Sequence, residues 1–159
     1  MVDAIHLRQL VQYNTRNHNV VGYVDLWNGE DVDTVAKEGL IIMVMGLRGR
    51  WKAPVAYYVT AGVSAETQKK LITATLGTLS DCGLIVHGLT TDRRTTYVAM
   101  AKLLGCQLDL SEPLKPLPES EHKIHVIFDA YHMIKLVRNL LHTYGTFQSP
   151  SGLIKWSTF

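Results

Sequence analysis

The sequence has few cysteines and no long apolar run, and each shortage excludes a class of protein. Its two cysteines, Cys82 and Cys106, form no CxxC pair, so neither a zinc ribbon nor a disulfide framework is predicted. No apolar run reaches the roughly 18 residues that a membrane span needs. The N-terminus also lacks the apolar core of a signal peptide, so we expect a soluble, intracellular protein without a membrane partner.

The sequence also has little net charge, although its cations are clustered. The 16 Lys and Arg residues against 14 Asp and Glu residues leave a net charge of +2, which does not by itself indicate a nucleic-acid partner. Local groups of cations can nevertheless contact a phosphate backbone. We therefore predict DNA contacts for the clustered basic residues, which are Arg48, Arg50, Lys52, Arg93, Arg94, Lys135 and Arg138.

The 159 residues, 47% of them hydrophobic, are enough for one domain with a buried core. A weak helical stripe over 3–13 predicts a helical lead-in at 1–19, and three prolines predict a loop at 107–122. Hydrophobic periodicity predicts the other elements, namely strands at 20–27, 40–47, 52–60, 84–91 and 123–128 and helices at 64–82, 94–104 and 130–144. This β-β-β-α-β-α-β-α order is that of the RNase H-like mixed α/β fold, although other mixed sheets share it.

Three aspartates fall on predicted strands or directly after them. Asp25 lies inside the apolar run VVGYVDLW, where a carboxylate is costly unless a cation or a donor compensates it. Asp92 and Asp129 follow the fourth and fifth strands. Since the first and fourth strands of this fold are neighbours, Asp25 and Asp92 are expected to meet at one edge of the sheet. Two carboxylates placed together suit Mg²⁺ or Mn²⁺, and such ions support attack on a phosphodiester.

Asp92 and Asp129 also have a simpler interpretation, because each precedes a predicted helix and can act as its N-cap. His132 has two interpretations as well. It can lie beside Asp129 near the site, or it can belong to a solvated polar stripe with Lys135. Asp25 neither caps a helix nor lies in a turn, so it is the most informative of the three aspartates.

A series of blocks resembles the catalytic core of P-element-type, or THAP-family, DNA transposases. The blocks are GYVDLW, LIIMVMGLRGRWKAPVAYYVTAG, GLTTD, VIFDAYHMIKLVRNLL, YGTF and GLIKW. They run in order over residues 22–156. The resemblance implies an RNase H-like core at 20–145, a DDE-type site with Mg²⁺ or Mn²⁺, DNA as the substrate and a nuclear location.

By position, the resemblance makes Asp25 the first catalytic and metal-binding aspartate and Asp92 the second, with Asp129 and His132 close to the site. In the family, a GTP-binding insertion and then the catalytic glutamate follow this region. Residues 146–159 would be the truncated start of that insertion. We therefore expect the GTP site and the closing catalytic helix to be absent from this chain.

Three functions remain open from the sequence. The chain can be a transposase core that is inactive alone and acts with a full-length transposase. It can instead be an inactive DNA- or protein-binding derivative, which Arg93 and Arg94 favour because an arginine beside Asp92 can occupy the place of a metal. An actin-like ATPase shares the sheet order but needs glycine-rich phosphate loops. A sheet without its closing helix also predicts exposed apolar surface and self-association.

Overall fold

A computed structural model describes residues 1–27, 32–106 and 124–158. The predicted loop at 107–122 lies outside the described residues. The strands are β1 (Val2–His6), β2 (Gln12–Asn14), β3 (Asn19–Val21), β4 (Tyr23–Val24), β5 (Val32–Val35), β6 (Glu38–Met45), β7 (Lys52–Thr60), β8 (Gly88–Thr91), β9 (His125–Phe128), β10 (Thr146–Ser149) and β11 (Gly152–Lys155). The helices are α1 (Ala65–Asp81), α2 (Thr95–Leu103) and α3 (Ala130–Tyr144), and Trp156–Thr158 form a short 3-10 helix.

Five strands form one mixed sheet in the order β7-β6-β1-β8-β9. β6 pairs antiparallel with both β7 and β1, whereas β8 pairs in parallel with β1 and β9. β6 has β7 and β1 as its lateral neighbours, but its apolar run is fully buried only in part, at Gly39, Leu40 and Ile42. An antiparallel meander followed by parallel strands with helical crossovers is the topology expected of an RNase H-like fold, so the predicted order of the elements is confirmed.

The first strand of the sheet is not the one that the sequence predicts. The helical lead-in is wrong, because residues 2–6 form β1 at the centre of the sheet, which extends the core to the N-terminal side of residue 20. The predicted strand at 20–27 is instead divided between β3 and β4, outside the main sheet. Gly22 separates them at φ 113°, and a Cβ there would collide with the carbonyl oxygen of Leu10. Strand pairing on both sides of β1 overrides its weak helical stripe.

The helix termini follow the sequence signals closely. The Ser64 hydroxyl caps α1 by accepting a hydrogen bond of 3.1 Å from the backbone N–H of Thr67. α1 ends before Gly83, which has φ 75°, and α3 ends at Gly145, which has φ 72°. In the parts of the chain that the structure describes, no helix has the length and apolarity needed to cross a membrane.

The hydrophobic core lies on one face of the sheet, beneath α1 and α2. Its buried members come from β1, β6, β8 and β9, from both helices and from residues next to α2 and β9: Val2, Leu40, Ile42, Ile72, Leu89, Tyr97, Met100, Ala101, Leu104, Cys106, Ile124 and Val126. Alternation along each strand sends the intervening side chains to the opposite face. There Ile5 and Ile127 are each about half exposed, at 48% and 49%. The sheet is therefore covered on one face and open on part of the other.

The apolar residues of α3 recur at helical spacing, which predicts a face turned toward the core, but most of them are exposed. Ile134, Val137 and Leu140 are 68%, 53% and 48% exposed, and Leu141 is the buried residue of this helix. Tyr131 and Tyr144 extend the exposed stripe at helical spacing and are exposed by 81% and 70%. The amphipathic pattern was correctly recognised, but α3 presents this stripe to solvent.

Ile72→Ala is expected to lower the free energy of unfolding by about 2–5 kcal/mol, because it leaves a cavity beneath the sheet. Ile72 is 1% exposed. Ile85→Ala is the matched control, since Ile85 is 56% exposed and its truncation should change stability by no more than about 0.5 kcal/mol. Urea denaturation followed by tryptophan fluorescence measures both, and equal losses would contradict the described core.

Candidate acidic active site

Asp25 lies beyond the outer edge of the sheet, away from Asp92. Its backbone N–H and carbonyl pair with Val59 of β7 at 2.8 and 2.9 Å, and its Oδ1 accepts a hydrogen bond from the Trp27 N–H. Three strands, β7, β6 and β1, lie between Asp25 and β8. Four strand-to-strand steps of about 4.8 Å each place Asp25 roughly 19 Å from β8. The predicted juxtaposition of Asp25 and Asp92 is therefore wrong, because Asp25 is not on the strand next to β8.

The acid that lies beside Asp92 is Asp3. Val2 of β1 pairs with Thr91 of β8, so the next residue on each strand is an aspartate. Asp129 continues the row, since its backbone N–H donates to the carbonyl oxygen of Thr91 at 2.8 Å. Three aspartates thus occupy corresponding positions on β1, β8 and β9, and we call this row the acidic edge.

A cavity of about 270 Å³ lies at the acidic edge. Asp3, Asp92 and Asp129 line it together with His132, Lys135 and Arg94. The structure therefore brings Asp92 together with Asp129 and His132, as the sequence predicted, and it adds Asp3. His132 follows Asp129 by three residues at the start of α3, which turns both residues toward the cavity.

Arg94 already pairs with the carboxylate of Asp92. Its Nε lies 2.9 Å from Asp92 Oδ2, and its backbone N–H donates to Asp92 Oδ1 at 3.1 Å. Its Nη1 also lies 3.8 Å from Glu38 Oε1. Asp92 is only 9% exposed, so this guanidinium supplies the positive charge that a buried carboxylate requires. The residue at the N-cap of α2 is Arg94, not Asp92.

Asp129 acts as the N-cap of α3, as one interpretation of the sequence predicted. Its Oδ1 accepts a hydrogen bond of 3.1 Å from the backbone N–H of Tyr131. One carboxylate oxygen is thus engaged by the helix terminus, where the helix dipole also favours negative charge. Asp129 combines this structural role with its position at the acidic edge.

The donor set at the acidic edge fits a hard divalent cation in chemistry, with one obstacle. Carboxylate oxygens from Asp3 and Asp92 are the ligands that Mg²⁺ and Mn²⁺ prefer. Within the described ranges, however, no three His, Cys, Asp or Glu side chains form a metal-binding cluster. The obstacle is Arg94, because its guanidinium already pairs with Asp92 and a cation bound there would have to replace it.

The clustered cations divide between two ends of the sheet. Arg94 and Lys135 line the acidic cavity, Arg93 is exposed just before α2, and Arg138 is exposed on α3. The other cluster, Arg48, Arg50 and Lys52, lies at the exposed turn between β6 and β7, at the end where β8 begins. It therefore lies away from Asp92, which follows the opposite end of β8.

The family model described as "TNP-like, RNase H N-terminal domain" matches residues 1–105 of this chain. The chain belongs to this family. The matched region contains both Asp3 and Asp92 of this TNP-like RNase H domain. The resemblance to P-element-type transposases predicted from the sequence is therefore confirmed.

Similarity to two known proteins covers almost the whole chain. The DNA transposase THAP9 of Homo sapiens is 28% identical over 98% of this chain, which spans 18% of that relative. The Drosophila P element transposase strand transfer complex matches 97% of this chain with a TM-score of 0.70 and 19% identity, and this chain spans 31% of that one. The structural likeness confirms the RNase H-like fold.

Asp3 is the residue that the sequence interpretation missed. The local signal for it was weak, because Val2 and Ala4 flank Asp3 at the spacing of a strand but Ile5 breaks the alternation of apolar and polar residues. The run is only five residues long, and its weak helical stripe continues to Val11. The sequence analysis expected an acid on the first strand to lie beside Asp92, because the first and fourth strands are neighbours. Asp3 on β1 meets that expectation, whereas Asp25 does not.

Asp129→Ala is expected to lower the free energy of unfolding by about 1 kcal/mol, because α3 loses its capping acceptor. Asp129→Asn keeps a capping oxygen and should remain close to wild type in stability. Thermal and urea denaturation followed by circular dichroism measure both variants. Equal destabilisation by the two substitutions would contradict the capping role and point to a need for the negative charge.

Proposed function

We propose that this chain is the RNase H-like core of a DNA transposase and that its acidic edge takes part in metal-dependent DNA strand cleavage and transfer. The observation that carries the proposal is the pairing of β1 with β8, which sets Asp3 beside Asp92. Membership of the TNP-like RNase H family supports it, as do a relative named a DNA transposase and a similar structure named a strand transfer complex.

Asp3 and Asp92 would hold Mg²⁺ or Mn²⁺, with Asp129 and His132 nearby. A bound cation of this kind supplies charge stabilisation for an attacking water and for a phosphodiester oxygen. The protein's own contribution is positional, because neighbouring strands of a packed sheet hold the carboxylates more rigidly than a loop would. His132 and Lys135, which line the same cavity, are placed to contact a phosphate group.

The pairing of Arg94 with Asp92 favours a second candidate function. A guanidinium that already neutralises Asp92 makes a cation less necessary and harder to bind. In that case the chain is a catalytically inactive, transposase-derived domain that binds DNA or a protein partner. Both candidates are derived from a transposase and carry the proposed nuclear location, and they differ in whether the acidic edge binds a divalent ion.

Mn²⁺ binding measured by calorimetry and by paramagnetic broadening of NMR signals tests the proposal. Asp3→Asn and Asp92→Asn should abolish the binding, because each removes a carboxylate of the pair. Asp25→Asn is the matched control and should bind as wild type does, since Asp25 is about 19 Å away by strand spacing. Arg94→Gln should tighten binding roughly tenfold, the equivalent of one charge-assisted hydrogen bond that the ion no longer has to break.

Loss of binding in Asp25→Asn with retention in Asp3→Asn would overturn this assignment of the acids. If neither the wild type nor Arg94→Gln binds Mn²⁺, the inactive binding domain becomes the better conclusion. The Arg94→Gln variant separates a site that is blocked by its own arginine from one that lacks ligands altogether.

We also propose that the chain self-associates, as its partly open sheet predicted. The stripe formed by Tyr131, Ile134 and Val137 on α3 supports this, because each side chain is more than half exposed. Sedimentation velocity should give a weight-average mass that rises with concentration in the micromolar range.

Ile134→Glu should shift the chain toward monomer, because it places a charge within the stripe. Leu47→Glu is the control, since Leu47 is 82% exposed on a turn away from α3. A wild-type monomer at all concentrations would refute self-association, and an equal effect of both substitutions would refute the role of the stripe.

A further inference from the structure

Among the residues that the structure describes, two buried polar atoms have no hydrogen-bond partner. They are Oε1 of Gln68 on α1 and the hydroxyl of Tyr97 on α2. The two residues are 5% and 1% exposed. Because an unpaired polar atom costs free energy when it is buried, such atoms are uncommon in native proteins and indicate an unsatisfied requirement for a partner.

Both residues line one cavity of about 560 Å³, which we call the Gln68–Tyr97 cavity. It lies between the sheet and the first turns of α1 and α2. Ala4, Arg94 and His132 line both this cavity and the one at the acidic edge, so the two cavities adjoin. The two cavities therefore share these side chains as part of their walls and lie next to each other.

The two unpaired atoms have different hydrogen-bonding roles. Burial raises the pKa of Tyr97, and the charge of Asp92 raises it further, so the phenol keeps its proton at neutral pH and can donate. Gln68 Oε1 can only accept. A ligand that satisfies both atoms must offer an acceptor and a donor on the same molecule.

The remaining lining restricts the ligand further. Glu38 lies 3.8 Å from Arg94, so these two charges partly compensate each other within the wall. Leu40, Val63 and Leu136 contribute apolar surface. A planar, uncharged group with apolar faces and a polar edge fits these walls better than an ion does. Arg93, which also lines the cavity, is placed to contact a phosphate attached to such a group.

We propose that the Gln68–Tyr97 cavity receives one nucleobase of a DNA strand bound at the acidic edge. A nucleobase has apolar faces and carries donors and acceptors side by side on its edge. Its removal from the stack costs a few kcal/mol, least for a base that is already unpaired, so single-stranded DNA or a strand end is the expected source. The DNA context of the proposal rests on the proposed function, whereas recognition of the base does not.

The test is titration of the ¹⁵N-labelled chain with adenosine, guanosine, cytidine and thymidine, and then with a short single-stranded oligonucleotide. At least one nucleoside should shift the amide signals around Gln68 and Tyr97. Tyr97→Phe and Gln68→Leu should each weaken this binding about five- to tenfold, the equivalent of one hydrogen bond. Tyr131→Phe is the control, because Tyr131 is 81% exposed on α3.

Stability provides a second readout that separates a binding site from a packing defect. Tyr97→Phe removes an unpaired buried hydroxyl, so the unfolding midpoint of the free chain should stay equal or rise while nucleoside binding falls. A folded variant with weaker binding supports the proposal. Unchanged nucleoside binding in both folded variants would overturn it.

The proposal would also be overturned if neither the nucleosides nor the oligonucleotide changed the amide signals around the cavity. Ordered water would then be the remaining hydrogen-bond partner for the two atoms. The titration needs neither a divalent ion nor strand cleavage. Nucleoside binding without Mn²⁺ binding would therefore support the nucleobase site and reject the metal-dependent function. Mn²⁺ binding without nucleoside binding would support the metal-dependent function and reject the nucleobase site.

Discussion

The position of β1 in the middle of the sheet is the constraint on which the rest of the molecule depends. Pairing with β6 on one side and β8 on the other joins the antiparallel and parallel halves into one sheet. The same pairing buries Val2 in the core and leaves Asp3 at the acidic edge. A single short strand thus determines both the continuity of the core and the position of an acid beside Asp92.

The charge balance at the acidic edge is maintained by the chain itself. Asp92 is buried, and Arg94 provides both a backbone donor and a guanidinium for it, so the carboxylate needs no external cation to be stable. An active metal site and a stable, metal-free domain therefore make opposite demands on the same arginine. Whether a DNA phosphate or a divalent ion can attract Arg94 away from Asp92 is the physical choice between an enzyme and a binding domain.

The sequence predicted the elements with strong local signals and missed those that depend on tertiary pairing. The cap at Ser64, the stop at Gly83 and the long helices carry their information in neighbouring residues. β1 does not, because its five residues become a strand through partners more than 30 positions away. The failure to predict β1 also led to the wrong acid being assigned beside Asp92. The topological argument for an acid beside Asp92 was sound, but it was applied to Asp25, which pairs with β7 at the far edge.

The exposed stripe of α3 could not be predicted for a related reason. Its spacing specifies an amphipathic helix, but periodicity gives the direction of the apolar face and not the identity of whatever covers it. Gln68 and Tyr97 were likewise not identifiable from sequence. Each is unremarkable on its own helix, and only the packing of α1 beside α2 brings the two residues to the wall of one cavity.

Insertions and deletions have different consequences in β1 and in the connection between β1 and β6. Residues 7–37 lead from β1 to β6, and the described part of this excursion forms two small hairpin-like pairs and meets the sheet at the bridge between Asp25 and Val59. A change of length in its turns, away from that bridge, can be absorbed without moving the strands on either side. A slip of one residue within β1 cannot, because alternation would turn Asp3 into the core and Val2 toward the acidic edge. The turns of the excursion therefore have room for changes of length, whereas the five residues of β1 are fixed in phase.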